Sequence, residues 1–307
     1  MMMSPFGLFR KHRRRKLLQR GLIAESLWSS LLADLPILRF LREDERERLR
    51  RLSTLFVREK IFEPAGGMIL DDAIRTRIAA LACLPILNLD FDCYETWRTV
   101  VVYPGGFVRR RSEFDDIGIM HEWEEALTGE SWERGPVIVS WTDVQNSGHC
   151  NGYNVVIHEM AHKLDMLNGA ADGFPDLPPG MKRKRWTDVF TAAFEDFNAR
   201  LNREEETALD PYAAEAPGEF FAVLSECFFE IPDLVRMEYP GVYDLLAQFY
   251  RQDPAARFRP FIPNNKNQAR DPESLRDSRF PGDHAPREAL ADAARGDDHG
   301  RFDDDQR

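Results

Sequence analysis

The chain has 307 residues, 43% of them apolar, and a formal net charge of −11. That is enough apolar material for a sizeable core, and the acidity argues against nucleic acid as a general partner. No run approaches the ~18 apolar residues of a membrane span, and Cys83, Cys93, Cys150 and Cys227 have no Cys-x-x-Cys spacing, which is the usage of reduced thiols in a cytoplasmic protein.

Residues 1–18 are basic, with Arg10, Lys11, Arg13, Arg14, Arg15 and Lys16. They lack the apolar stretch and cleavage site of a signal peptide. A block of like charge is expected to be a flexible, solvated arm, with transient contact to anionic lipid or nucleic acid as the other reading. Residues 21–60 read as helices, with Leu22, Ile23, Leu27, Leu31 and Leu32 in one stripe and Leu38, Leu41, Leu49, Leu52 and Phe56 continuing it past Pro36. The charged residues 45–51 should face water. A further helix is expected from Ile69 to Leu87, with Ile69, Ile74, Ile78, Leu81 and Leu84 inward. The period then changes: Thr99–Tyr103 and Val137–Trp141 are β-rich and bounded by Gly and Pro. The polar loop 142–153 carries His149, read as an ordinary loop histidine.

The stretch Asn154–Asp165 contains His-Glu-x-x-His, as His158, Glu159 and His162. On a helix, positions four apart share a face, so both imidazoles can reach one ion. Glu159, beside the first of them, can take a proton from a metal-activated water. A helix is expected here: Val155, Val156, Met160, Leu164 and Leu167 recur at helical spacing, no proline lies between residues 137 and 174, and Asn168-Gly169 is a stop signal. Asp165, three residues after His162, is a candidate to hold a ligand imidazole in its tautomer; an exposed salt bridge is the plain alternative.

A third ligand has to come from further on, because Asp165 and Asn168 stand where a metzincin has Gly and His. Gly169–Gly180 reads as a loop, with Asp172 and Asp176 as turn residues. Residues 185–201 form an amphipathic helix with Phe190, Phe194, Phe197 and Leu201 aligned, and residues 203–216 a loop. Pro217 then opens a helix through Glu230, in which Glu219, Val223, Glu226 and Glu230 share one face. Carboxylates among so many aromatics need a partner. A metal would serve, or the face is solvated; helical geometry does not separate Glu219 from Glu226. A last helix lies around Val242–Tyr250. From about residue 263 to 307 large apolar residues nearly vanish, the composition of a disordered tail.

These motifs resemble the Mlc titration factor A family of bacterial zinc metallopeptidases, over roughly residues 15–262. The matching stretches are Asn154–Asp165 with Asn168-Gly169-Ala170-Ala171-Asp172-Gly173, then Asp210-Pro211-Tyr212-Ala213, and Glu219-Phe220-Phe221-Ala222-Val223. The resemblance implies one zinc ion on His158, His162 and Glu219, with Glu159 as general base and Tyr212 as an active-site tyrosine. The Tyr-then-Glu spacing is remotely similar to that of the anthrax lethal factor catalytic domain. The expected fold is α+β: a mainly helical zincin-like unit over residues 19–262, its helical part (19–95) packed on a zinc-binding part (96–262). By analogy with such peptidases, residues 137–141 are the candidate rim against which a substrate backbone adds as a strand.

The implied activity is aminopeptidase-like hydrolysis of a peptide or protein substrate, linked to control of a sugar-uptake repressor. The alternative from another class is a regulatory protein that sequesters such a repressor, with peptidase activity secondary. A zinc hydrolase of non-peptide amides is a third reading.

Overall fold

Proline and short polar side chains set most of the helix boundaries. The computed structural model describes residues 5–105, 107–114, 120–127, 129–131 and 135–258. Helix α1 spans Pro5–Gln19, α2 Glu25–Asp34, α3 Pro36–Arg39 and α4 Glu43–Glu59. Leu35 is extended, as the residue before a proline prefers, and Pro36 separates α2 from α3 at the position expected. Strand β1 (Ile61–Pro64) leads to α5 (Asp72–Cys83), whose cap is the Asp71 carboxylate accepting from the Ile74 N–H at 2.8 Å. Ile69 lies outside this helix and is 86% exposed, not inward.

Strands β2 (Thr99–Tyr103), β3 (Phe107–Phe114), β4 (Met120–Leu127), β5 (Gly129–Ser131) and β6 (Val137–Ser140) follow. β3 and β4 pair as an antiparallel hairpin that the sequence reading did not include. The main sheet has the order β1-β2-β6-β5. β1, β2 and β6 run parallel, while β5 lies antiparallel on β6. The strand at 137–141 is therefore internal, paired on both sides, and cannot be the rim. On that side of the sheet the outer strand is β5.

Helix α6 (Trp141–Asn146) turns the chain out of the sheet and leads to α7 (Val155–Asp165). Then come α8 (Arg183–Asn202), α9 (Pro217–Glu230), α10 (Pro232–Glu238), α11 (Pro240–Tyr250) and α12 (Pro254–Phe258). Proline opens α9, α10 and α11, where its missing N–H costs nothing. The protein is thus mainly helical with a small sheet. Its core is continuous from Phe56, Tyr94 and Trp97 under the N-terminal helices to Trp186, Phe221 and Phe249 around α9.

The basic N-terminal stretch differs from the solvated arm expected of it. From Pro5 onward it is helix α1, and its Arg10, Lys11, Arg13 and Arg14 pair with carboxylates. Arg14, 8% exposed, pairs with Glu59 at 3.3 Å, Glu95 at 2.9 Å and Asp92. The polar tail, from residue 263, lies outside the described residues.

Candidate metal centre

Helix α7 starts where the chain supplies a cap and an acidic neighbour. The Asn154 side chain accepts from the Ile157 N–H at 3.0 Å. Glu226 accepts from the Asn154 N–H at 2.7 Å, and Glu230 from the Asn154 side-chain amide at 2.7 Å and the Cys150 N–H at 2.6 Å. Two carboxylates thus sit at the positive end of the α7 dipole. Val155, Val156, Met160 and Leu164 are buried, as their spacing predicts. The helix ends at Asp165 and a short 3-10 turn carries Met166–Asn168 to Gly169, at φ 149°.

The acidic face of α9 packs on α7 and is not solvated. Glu226 and Glu230 are 6% and 0% exposed. The two carboxylates that geometry in the sequence left open now separate. The Glu219 Oε2 lies 3.1 Å from His158 Nε2 and 3.3 Å from His162 Nε2, and the two Nε2 atoms are 3.1 Å apart. Glu226 meets the other ring nitrogen, with Oε1 2.7 Å from His158 Nδ1. A proton on that Nδ1 leaves Nε2 with its lone pair turned toward Glu219 and His162.

His158, His162 and Glu219 are the cluster among the described residues whose donor atoms converge closely enough to hold a metal ion. Donors each ~2.0–2.2 Å from a tetrahedral zinc stand roughly 3.3 Å apart, and the observed separations match. Two imidazoles with one carboxylate is also a donor set that zinc accepts while keeping a fourth position open. The charges follow the same geometry. Burial works against Glu219 as an anion, yet the two imidazoles hold it well below the usual carboxylate range. His158 is raised, since Glu219 and Glu226 outweigh its burial, and His162 is lowered by burial. An ion at this place would displace a proton from His158.

Glu159 is 1% exposed and close enough to Lys163 to favour its charge, although burial draws that ammonium down to about 8. Lys163 is itself buried and donates to the Gly135 carbonyl at 3.0 Å. Tyr212 stands on the 3-10 turn Pro211–Ala214, which the Asp210 carboxylate caps at 2.9 Å. Its ring centre is 6.1 Å from that of His158.

Asp165 is buried, and its Oδ1, like His162 Nδ1, makes no hydrogen bond among the described residues. It is 0% exposed, so it is no surface salt bridge. Its Oδ2 accepts from the Gly173 N–H at 2.7 Å, which ties it to the 169–180 loop, not to an imidazole. Burial pushes Asp165 up to about 7. The imidazole-orienting carboxylate is Glu226, two turns after Glu219, and the shared face of α9 was the signal for it. The loop that Asp165 holds packs tightly on α9. A Cβ on Gly173, at φ 77°, would lie 2.6 Å from the Pro217 carbonyl oxygen, and one on Gly218 would lie 2.5 Å from that of Ala171. His149 bonds the Gln145 carbonyl at 2.9 Å and lies 3.4 Å from Arg77. Asp172 caps the Phe174 N–H at 3.0 Å as a turn residue.

Comparison with known proteins now adds the decisive observation. The profile of the family described as glucose-regulated metallo-peptidase M90 matches residues 9–251. The chain belongs to that family. Its relatives include the protein named Mlc titration factor A from Serratia proteamaculans, 39% identical over 241 residues that cover 77% of this chain and 91% of the relative. Those from Escherichia fergusonii, at 40%, and Salmonella arizonae, at 39%, cover 90% and 94% of the relative's length. The family resemblance drawn from the motifs is thereby established, and with it a metallopeptidase class. Among the described residues no helix is long and apolar enough to cross a membrane.

Proposed function

We propose that this family member is a zinc-dependent peptidase with a zincin-like catalytic unit, acting on peptide bonds in an aminopeptidase-like manner. The observation that carries the reading is the convergence of His158 Nε2, His162 Nε2 and Glu219 Oε2 on one point. A zinc ion held by these three would polarise the scissile carbonyl and bring its water toward a pKa near ~7. Glu159 takes the proton of the attacking water and returns it to the leaving amine. Tyr212 donates a hydrogen bond to the developing oxyanion, a role worth ~2.7–4 kcal/mol for one donor. Glu226 holds the His158 ring by its Nδ1. The outer strand β5, which packs against α7, is the edge on which an extended substrate backbone adds. A cytoplasmic location agrees with four unpaired thiols.

The test is Glu159→Gln. It is expected to retain about one zinc per chain by mass spectrometry and to lose turnover of chromogenic peptide substrates by at least ~10²-fold, the scale of general-base catalysis. Full activity in this variant would remove Glu159 from the mechanism. Zinc content abolished in Glu219→Ala supports the ligand set; zinc content unchanged there refutes it.

The relatives' name favours a second reading, in which the chain binds a transcriptional repressor of the Mlc type and sequesters it. Here Glu159→Gln is again the discriminating variant: repressor capture that survives loss of peptide cleavage separates the two activities.

A further inference from the structure

A cavity of about 480 Å³ lies where the start of α4 meets the turn between α11 and α12, and its lining includes no residue of α7 or α9. Arg39, Arg42, Arg46, Arg251 and Arg257 line it, against the carboxylates of Glu45 and Asp253. In a chain with a net charge of −11 this is a local reversal of sign.

Both carboxylates are committed within the fold. Glu45, expected to face water but 3% exposed, accepts from the Arg42 N–H at 3.0 Å and from Arg257 at 2.7 Å. Asp253 accepts from the Tyr243 hydroxyl at 2.5 Å and from the Ala256 N–H at 3.2 Å. Arg42 also pairs with Asp44, at 3.1 Å.

The remaining guanidiniums are held by neutral groups. Arg39 donates to the Ala33 carbonyl, and Arg46 to the Arg39 carbonyl at 2.7 Å. Glu43 approaches Arg46 only to 4.0 Å and is 91% exposed, so it neutralises little. The Arg46 Nε is buried with no hydrogen-bond partner among the described residues, a donor left over by the fold. Arg251 makes no ion pair among the described residues. It sits at φ 52°, a conformation costly for a residue with a side chain, and Asn88 pins it by donating to its carbonyl at 2.8 Å. Phe40 adds a ring to the wall.

We propose that this cavity binds a small phosphorylated molecule. Its phosphate is taken by Arg39, Arg46 and Arg251, and its planar or apolar body lies against Phe40. Guanidinium forks match phosphate oxygens in pairs. The volume falls in the range of small-molecule sites, and charged donors beside an aromatic wall are their usual chemistry.

Calorimetric titration of the full chain with AMP and with adenosine, at low salt, tests this. AMP is expected to bind with a submillimolar Kd, and adenosine at least about tenfold more weakly, since only charge-assisted bonds to phosphate distinguish the two. The double variant Arg39→Gln/Arg251→Gln is expected to weaken AMP by about tenfold or more, with zinc content and melting temperature unchanged, because neither side chain holds a carboxylate in the fold. Absence of AMP binding up to about 10 mM, equal binding of adenosine, or an unchanged AMP Kd in the double variant would each overturn the proposal.

Discussion

The seam between α1 and α4 and the seam between α7 and α9 both put charge under cover, by different means. In the first, the Arg14 guanidinium is itself buried but is met by three carboxylates that stay 12–33% exposed, so each carboxylate keeps part of its water. In the second, Glu226 and Glu230 are met by N–H groups at the start of α7 and by one imidazole. A solvated ion pair contributes little when formed and costs little when lost, whereas a buried acceptor leaves its donors stranded when removed. The comparison teaches that the seam of α7 and α9 is held by acceptors that have no substitute, and the N-terminal seam by carboxylates that water still reaches.

Removing Glu226 should break this contrast most visibly. Glu226→Ala strands the Asn154 N–H and the His158 Nδ1, and a loss of about 3–5 kcal/mol is expected in denaturant unfolding. Zinc affinity, read by competition with a chelator, should fall about 10–100-fold, because the ligand imidazole loses its orienting partner. Glu230→Ala sharpens the point. It should lower stability by about 2–3 kcal/mol with zinc affinity nearly unmoved, since Glu230 touches Asn154 and Cys150 but neither imidazole. Equal effects of both variants on zinc would mean that Glu226 acts only through the fold.

Asp165 gives a pH signature. Its folded pKa, about 7, lies above the ordinary 3.8, so the folded state holds the proton more tightly. The stability from this group is fully present below pH 3.8 and lost as pH rises through about 7. Asp165→Asn keeps an oxygen for the Gly173 N–H and does not titrate. Its stability relative to the parent chain, followed by melting temperature, should rise between pH 4 and 7 by ~1.4 kcal/mol for each pH step of one, and level off above. A flat difference across that range would rule the linkage out. Smallest of all should be Arg13→Ala, whose half-exposed guanidinium pairs with Glu59 at 2.9 Å: about 1 kcal/mol or less, and shrinking with added salt.

Much of this was legible in the chain. His158 and His162 share a helix face because four residues make about one turn, and the apolar residues of α7 announce the helix. Pro217 announces the start of α9. The choice between Glu219 and Glu226 was not legible, because both lie on the same face two turns apart. Only the placement of α7 across α9 assigns one to each side of the His158 ring. Burial of Asp165 was equally hidden, since it depends on a loop returning through Gly173. The order of the sheet eluded reading because β5 is three residues long and periodicity needs more. The pairing of the basic N-terminal stretch was hidden for a related reason: the carboxylate partners of Arg14 lie 45 to 81 residues away.

The reciprocal contact of Gly173 and Gly218 carries one more consequence. Each glycine leaves room for a carbonyl of the other segment, so the loop after α7 and the first turn of α9 meet backbone to backbone. The candidate donors on the two helices, His158, His162 and Glu219, are therefore set by a backbone contact as well as by any ion they hold. Small zinc modules that collapse without their ion are the opposite case. Under the proposed zinc chemistry a chelator should therefore stop peptide turnover while circular dichroism and slow amide exchange in α7 and α9 persist.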